Sequence, residues 1–121
     1  MSQEKEFMAA AESKVSVAKI LLEEDAYDDA ISRAYYGMYN AARALLFAKD
    51  SKPKTHEGAA SELGKLYREE MGPEMTREFS KIQNDRLEAD YEPSNNFTKS
   101  EAEKTVRTAE QFVSKAGSLL E

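Results

Sequence analysis

The 121-residue chain contains no cysteine and only one histidine, His56. Without cysteine there is no disulfide scaffold, no zinc ribbon and no thiol nucleophile. A single histidine excludes HExxH zinc chemistry and any site that needs two histidines from one chain. Neither a metal nor a cofactor is called for. Long apolar runs are also missing: the longest, residues 44–48, is far below the ~20 residues that span a bilayer. The opening Met-Ser-Gln-Glu-Lys-Glu is acidic and lacks the apolar segment of a secretory signal. The expected location is therefore the cytoplasm, with no membrane partner. Basic residues are outnumbered, 17 against 23 acidic, for a net charge of -6. That balance argues against broad, phosphate-driven binding to double-stranded DNA, though not against one small basic site.

What remains is the composition of a helical domain. Alanine occurs 17 times, valine and isoleucine together only seven, and no segment alternates with the period of a half-buried strand. One domain, residues 1–121, is expected, because this length suits a single core. Pro53, Pro73 and Pro93 fall in polar breaks that separate helical patterns. The first helix is predicted over residues 2–24. Asp25 reads as the N-cap of a second helix reaching residue 49. After a loop over residues 50–54, Thr55 caps a third helix that ends at Gly72-Pro73. A fourth helix spans residues 74–91. Beyond the loop at residues 92–96, Thr98 and Glu101 form a capping box that opens a fifth helix. Its Ala102, Val106, Ala109, Val113, Ala116 and Leu120 step by four and three, as a bundle seam does. The architecture implied is all-α: an up-and-down antiparallel four-helix bundle with one extra short helix.

Candidate chemistry concentrates in three places. On the second helix Arg33, Tyr36, Asn40 and Arg43 follow at steps of three or four, beside Gly37. A glycine inside a helix costs up to ~1 kcal/mol and marks the close approach of a neighbour. This face is either covered by another helix or offered to a second subunit or polyanionic ligand. On the fourth helix Arg86 and Asp90 fall on the stripe of Met75, Phe79 and Ile82. Charges on a buried stripe must be paired or functional. His56 begins the third helix after Lys49, Lys52 and Lys54, and reads as a solvated cap or a phosphate site. The acidic turn Glu23, Glu24, Asp25, Asp28 and Asp29 lacks the alternating ligands and glycine of a calcium loop.

Three motifs in order carry a family resemblance. They are Ser32-Arg33-Ala34-Tyr35-Tyr36-Gly37-Met38-Tyr39-Asn40-Ala41-Ala42-Arg43-Ala44-Leu45-Leu46, then Lys54-Thr55-His56-Glu57-Gly58, then Arg86-Leu87-Glu88-Ala89-Asp90-Tyr91. Together they resemble the HEPN domain (higher eukaryotes and prokaryotes nucleotide-binding), in its small stand-alone prokaryotic branch. The resemblance implies a helical bundle, a homodimer, and a minimal nucleotidyltransferase as partner in a toxin–antitoxin-like pair. Nuclease members of that superfamily carry Arg-x(4–6)-His, which joins a phosphate-holding cation to an imidazole for proton transfer. This chain departs from the motif. No arginine stands at positions 49 to 51 ahead of His56, Tyr91 fills the histidine slot after Arg86, and Asn40 fills the one after Arg33.

The expectation is thus a homodimer that binds nucleotide or RNA rather than cleaving it. Arg33, Tyr36, Asn40, His56, Arg86, Asp90 and Tyr91 are its candidate ligand residues. The Arg33–Tyr36–Asn40 side is the expected dimer face. Two alternatives stand beside it. One is a metal-independent endoribonuclease in which Arg33 or Arg86 orients phosphate and His56 is the acid/base. The other is a structural helical adaptor that binds neither nucleotide nor RNA.

Overall fold

A computed structural model describes residues 2–91, 93 and 96–121. Every element among the described residues is helical: α1 (Gln3–Glu23), α2 (Tyr27–Ala48), α3 (His56–Leu66), α4 (Arg68–Met71), α5 (Pro73–Tyr91) and α6 (Lys99–Leu119). The four long helices form the expected up-and-down bundle. Lys19 of α1 pairs with Glu110 of α6, while Met8 lies against Gly117, so the two helices run antiparallel. The start of α2 is tied to the start of α6, because the Asp28 carboxylate accepts the backbone N–H groups of Asn96 and Phe97. The loop predicted over residues 92–96 falls partly on Glu92, Ser94 and Asn95, which lie outside the described residues.

Helix α2 is the central one. It packs against α1, α3, α5 and α6, and Ala30, Ile31, Ala34, Tyr35, Met38, Ala41, Ala42, Leu45 and Leu46 are completely buried. Small residues let the neighbours come close. A Cβ at Gly37 would stand 2.7 Å from Val15 Cγ2 and 3.2 Å from the Ala11 carbonyl oxygen, so α1 occupies the space a side chain would need.

Local signals mark most helix ends. Ser2, Thr55 and Thr98 each accept a backbone N–H as N-caps, and the Thr98–Glu101 capping box is complete. Pro73 opens α5, the helical position where a missing N–H costs least. Asp25, predicted as the N-cap of α2, has a different role. Ala26 is the N-cap and has no side-chain hydrogen bond. Asp25 sits at φ 62°, with its N–H bonded to Leu22 O and that of Ala26 to Leu21 O. This is a Schellman closure of α1 with aspartate at the left-handed position that glycine usually takes. The same closure ends α2: Asp50 has φ 59°, and the N–H groups of Asp50 and Ser51 reach Phe47 O and Leu46 O.

The predicted third helix is two helices. It breaks at Tyr67, whose φ of -124° and ψ of 28° are not helical. The cause is tertiary: the buried Tyr67 hydroxyl donates to Leu45 O at 2.6 Å. Near a helix end the last carbonyls lack intrahelical donors. Lys49 N–H turns to Leu46 O instead, so Tyr67 supplies what Leu45 lost. Lys49 Nζ returns the favour by donating to Leu66 O at 2.7 Å, at the end of α3. The extra element beside the bundle is therefore α3 and α4 together.

Candidate functional site

Where α2, α3 and α5 meet, aromatic rings and cations gather. Tyr35 is fully buried, and its hydroxyl is 2.6 Å from His56 Nδ1. The His56 ring stacks on Tyr39 with centroids 4.2 Å apart and meets the edge of Tyr36 at 6.3 Å. Across the same tyrosines, the Arg86 guanidinium carbon lies 5.1 Å from the Tyr35 ring and 5.5 Å from that of Tyr36. Phe79 stacks on the far side of Tyr35 at 5.9 Å. Arginine and histidine, 30 positions apart in the sequence, thus flank one aromatic wall.

Arg86 is only 6% exposed, and its partner is poor. Asp90 Oδ2 stands 3.6 Å from Arg86 Nη1, beyond hydrogen-bond length. Arg86 Nε is buried and, among the described residues, has no hydrogen-bond partner. The Tyr35 hydroxyl is its other polar neighbour. A buried guanidinium with one loose counter-ion and a phenol leaves part of its desolvation cost uncompensated, and ring faces that attract cations offset only some of it.

Burial holds the His56 pKa below the ordinary histidine value; Arg86 and Arg43 push it further down, against a smaller opposing pull from Glu57. The imidazole is therefore neutral at pH 7. Burial likewise raises the Tyr35 pKa, despite the nearby Arg86, so the phenol keeps its proton.

His56 is not the solvated cap that its position suggested. The Tyr35 bond and the Tyr39 stack draw the ring into the wall. Two of the three lysines expected to make a phosphate site of the α3 N-terminus look elsewhere. Lys49 lies over the Tyr67 ring at 4.0 Å and Lys52 over Phe47 at 4.7 Å. The cations acting on His56 are arginines. Of the other candidates, Tyr36 borders the wall, and Asn40 Nδ2 donates to Tyr36 O at 2.9 Å, one turn back on its own helix. Arg33 is exposed, and Tyr91 is 75% exposed.

Arg43, read from the sequence as part of the Arg33–Tyr36–Asn40 face, joins the cluster, and so do Tyr35 and Tyr39, to which the sequence assigned no ligand role. Arg43 stacks on Phe7 at 4.3 Å and lies 5.5 Å from the Tyr39 ring. It lines a pocket of about 270 Å³ with Phe7, Phe47 and Lys52. The available signal was Tyr35-Tyr36, Tyr39-Asn40 and Arg43 at helical steps. Aromatic residues at that spacing are as a rule packing, and here Tyr35 both packs and bonds. A larger open groove, about 900 Å³, lies between α1 and α6. Neither Arg86 nor His56 lines it, and Glu4, Glu12, Glu110 and Glu121 surround it with carboxylates against one lysine, Lys5. Neither residue lines the smaller pocket either, but its Arg43 and Lys52 suit an anionic ligand better than those carboxylates do.

Residues 5–119 match the model of the HEPN domain. Two proteins of Methanocaldococcus jannaschii, each named "putative toxin", are similar. One is 40% identical over 105 residues, covering 85% of this chain and 78% of its own. The other is 31% identical over 107 residues, covering 87% and 73%. A UPF0332 protein of Archaeoglobus fulgidus is 35% identical over 108 residues, covering 88% of this chain and 86% of its own.

Proposed function

The chain belongs to the HEPN domain family, and from that premise we propose that it is a toxin-like HEPN protein whose Arg86–His56 wall binds the phosphate of a nucleotide or RNA. It does so as a homodimer, working with a minimal nucleotidyltransferase. The observation that carries this reading is Arg86 Nε, a charged donor buried without a hydrogen-bond partner among the described residues. Such a group is costly unless something bound supplies the acceptor. Tyr36 stands beside it, and Tyr39 and Arg43 stand beside His56 and each other, suited to stacking on a base and to a second charge contact. The name of the Methanocaldococcus relatives supports the toxin-like part of the reading. Leu87 and Tyr91 are large apolar side chains left exposed on α5, as a surface that meets a second copy would leave them.

The test is calorimetric titration of AMP and of a short single-stranded RNA into the wild type and Arg86→Met. Binding to the wild type, weakened about tenfold or more in the variant, supports the reading. No binding of either ligand to the wild type overturns it. Sedimentation of the wild type must show a dimer. Coexpression with a nucleotidyltransferase encoded by a neighbouring gene must yield a stable complex.

One observation favours the nuclease as a second reading. A neutral imidazole beside a cation is the pairing that acid–base cleavage of RNA uses, and the fold builds it from separate helices. Cleavage of RNA by purified protein, abolished in His56→Ala, would establish that reading in place of simple binding.

A further inference from the structure

The Tyr35–His56 bond fixes which nitrogen of the imidazole carries the proton. Tyr35 is fully buried, so its hydroxyl proton needs an acceptor within the protein. His56 Nδ1, at 2.6 Å, is the acceptor within reach. Arg86, Tyr39 and Tyr36 also act on the phenol, but among the described residues its hydroxyl is in hydrogen-bond contact with neither tyrosine. Arginine has donors only and cannot accept the proton. The hydroxyl therefore donates to Nδ1, and a neutral imidazole that accepts at Nδ1 bears its own proton at Nε2. Among the described residues Nε2 has no hydrogen-bond partner, and neither has Arg86 Nε.

We propose that Tyr35 is a positioning residue that holds His56 in the Nε2–H tautomer, so that His56 and Arg86 offer N–H donors to one oxyanion, a phosphate monoester or diester. This rests on reading the Arg86–His56 wall as the ligand site, and it makes His56 a donor there rather than a base. A ring nitrogen that already carries a proton cannot take one from a ribose hydroxyl. Protonating Nδ1 would force the Tyr35 hydroxyl to reverse and leave its proton without an acceptor in a dry interior. Of the charged groups facing the ring, Arg86 from α5 and Arg43 from α2 oppose an imidazolium, while Glu57 on α3 favours it less strongly than Arg86 opposes it.

Because His56 is the one histidine of the chain, ¹⁵N-histidine labelling gives a single imidazole spectrum. Long-range ¹H–¹⁵N correlation above the titration range reads the tautomer with no ligand present. The expected result is Nε2–H alone in the wild type and a mixture of tautomers in Tyr35→Phe. An Nδ1–H wild type overturns the proposal, and so does a folded Tyr35→Phe with an unchanged tautomer. The wild-type spectrum decides the matter even if the variant does not fold. Inorganic phosphate is then titrated into the wild type. A shift of the Nε2–H signal that is lost in Arg86→Met is the expected outcome, and no shift overturns the oxyanion assignment. Tautomer failure leaves nucleotide binding standing. Absence of AMP and RNA binding, with the tautomer as expected, removes the functional reading instead.

Discussion

The Tyr67 hydroxyl donates to the Leu45 carbonyl oxygen at 2.6 Å, joining the α3–α4 break to the last turn of α2 across 22 residues. Removing the hydroxyl leaves a buried carbonyl unsatisfied, which costs ~1–3 kcal/mol. Tyr67→Phe should lower the urea midpoint accordingly without changing the slope. An unchanged midpoint would show that the α3–α4 break has another cause.

Gly37→Ala sets two effects against each other. Alanine gains ~1 kcal/mol of helix propensity, whereas overpacking a tight contact costs ~1–3 kcal/mol. The Cβ would meet a backbone oxygen at 3.2 Å and the Val15 methyl at 2.7 Å. Valine in a helix has essentially one rotamer and cannot swing away. The variant should be destabilised, and Val15→Ala should relieve part of the loss. Additive behaviour in that double-mutant cycle would contradict the contact.

Asp50→Gly should do the reverse. The left-handed conformation at φ 59° is strained for an L-residue and free for glycine. A gain of about 0.5–1 kcal/mol is expected from thermal unfolding, with no change at the ligand site. A loss of stability would mean that the Asp50 side chain holds the turn.

Arg86→Met tests whether the buried cation serves stability. Cation–π contacts return ~0.5–2 kcal/mol, while the desolvation of a charge with one loose partner costs several. The variant should be as stable as the wild type within about 1 kcal/mol, yet should lose the anion. Severe unfolding would make Arg86 a structural residue.

The pH dependence follows from His56. Its folded pKa is depressed below the ordinary 6.5, chiefly by burial, so the unfolded chain binds the proton more readily. Its contribution to stability is complete above pH ~6.5 and declines as pH falls through that value toward the folded pKa. Between pH 7 and 5 the wild type should lose more stability than His56→Gln. Parallel curves would mean that the imidazole is not desolvated.

Much of this architecture can be read from the chain before any coordinates. Thr55, Thr98 and Glu101 act within one turn of their own helices, and the α6 seam repeats by local geometry. The errors occur where distant groups intervene. Tyr67 leaves the helix for a carbonyl 22 residues away. Asp25 has the chemistry of an N-cap, but the turn that closes α1 requires it in a left-handed conformation. The site shows the same division. Arg86 was suspect because a charge lay on an apolar stripe. Its pairing with His56 through Tyr35 and Tyr36 exists only once α2, α3 and α5 have docked, and no local spacing encodes it.

The two bonds that cross between the ends of α2 and α3, Tyr67 to Leu45 and Lys49 to Leu66, act at a distance from them. Helix α3 carries His56 at its first residue and ends beside Lys49, about 15 Å further on at 1.5 Å per residue. It is a short beam resting on two supports, the Tyr35 hydroxyl at one end and the α2 terminus at the other. A beam held at one end would swing, and every encounter with a ligand would have to stop it. Fastened at both, the imidazole is already in place when a phosphate arrives, and the entropy of aiming it was lost once, during folding.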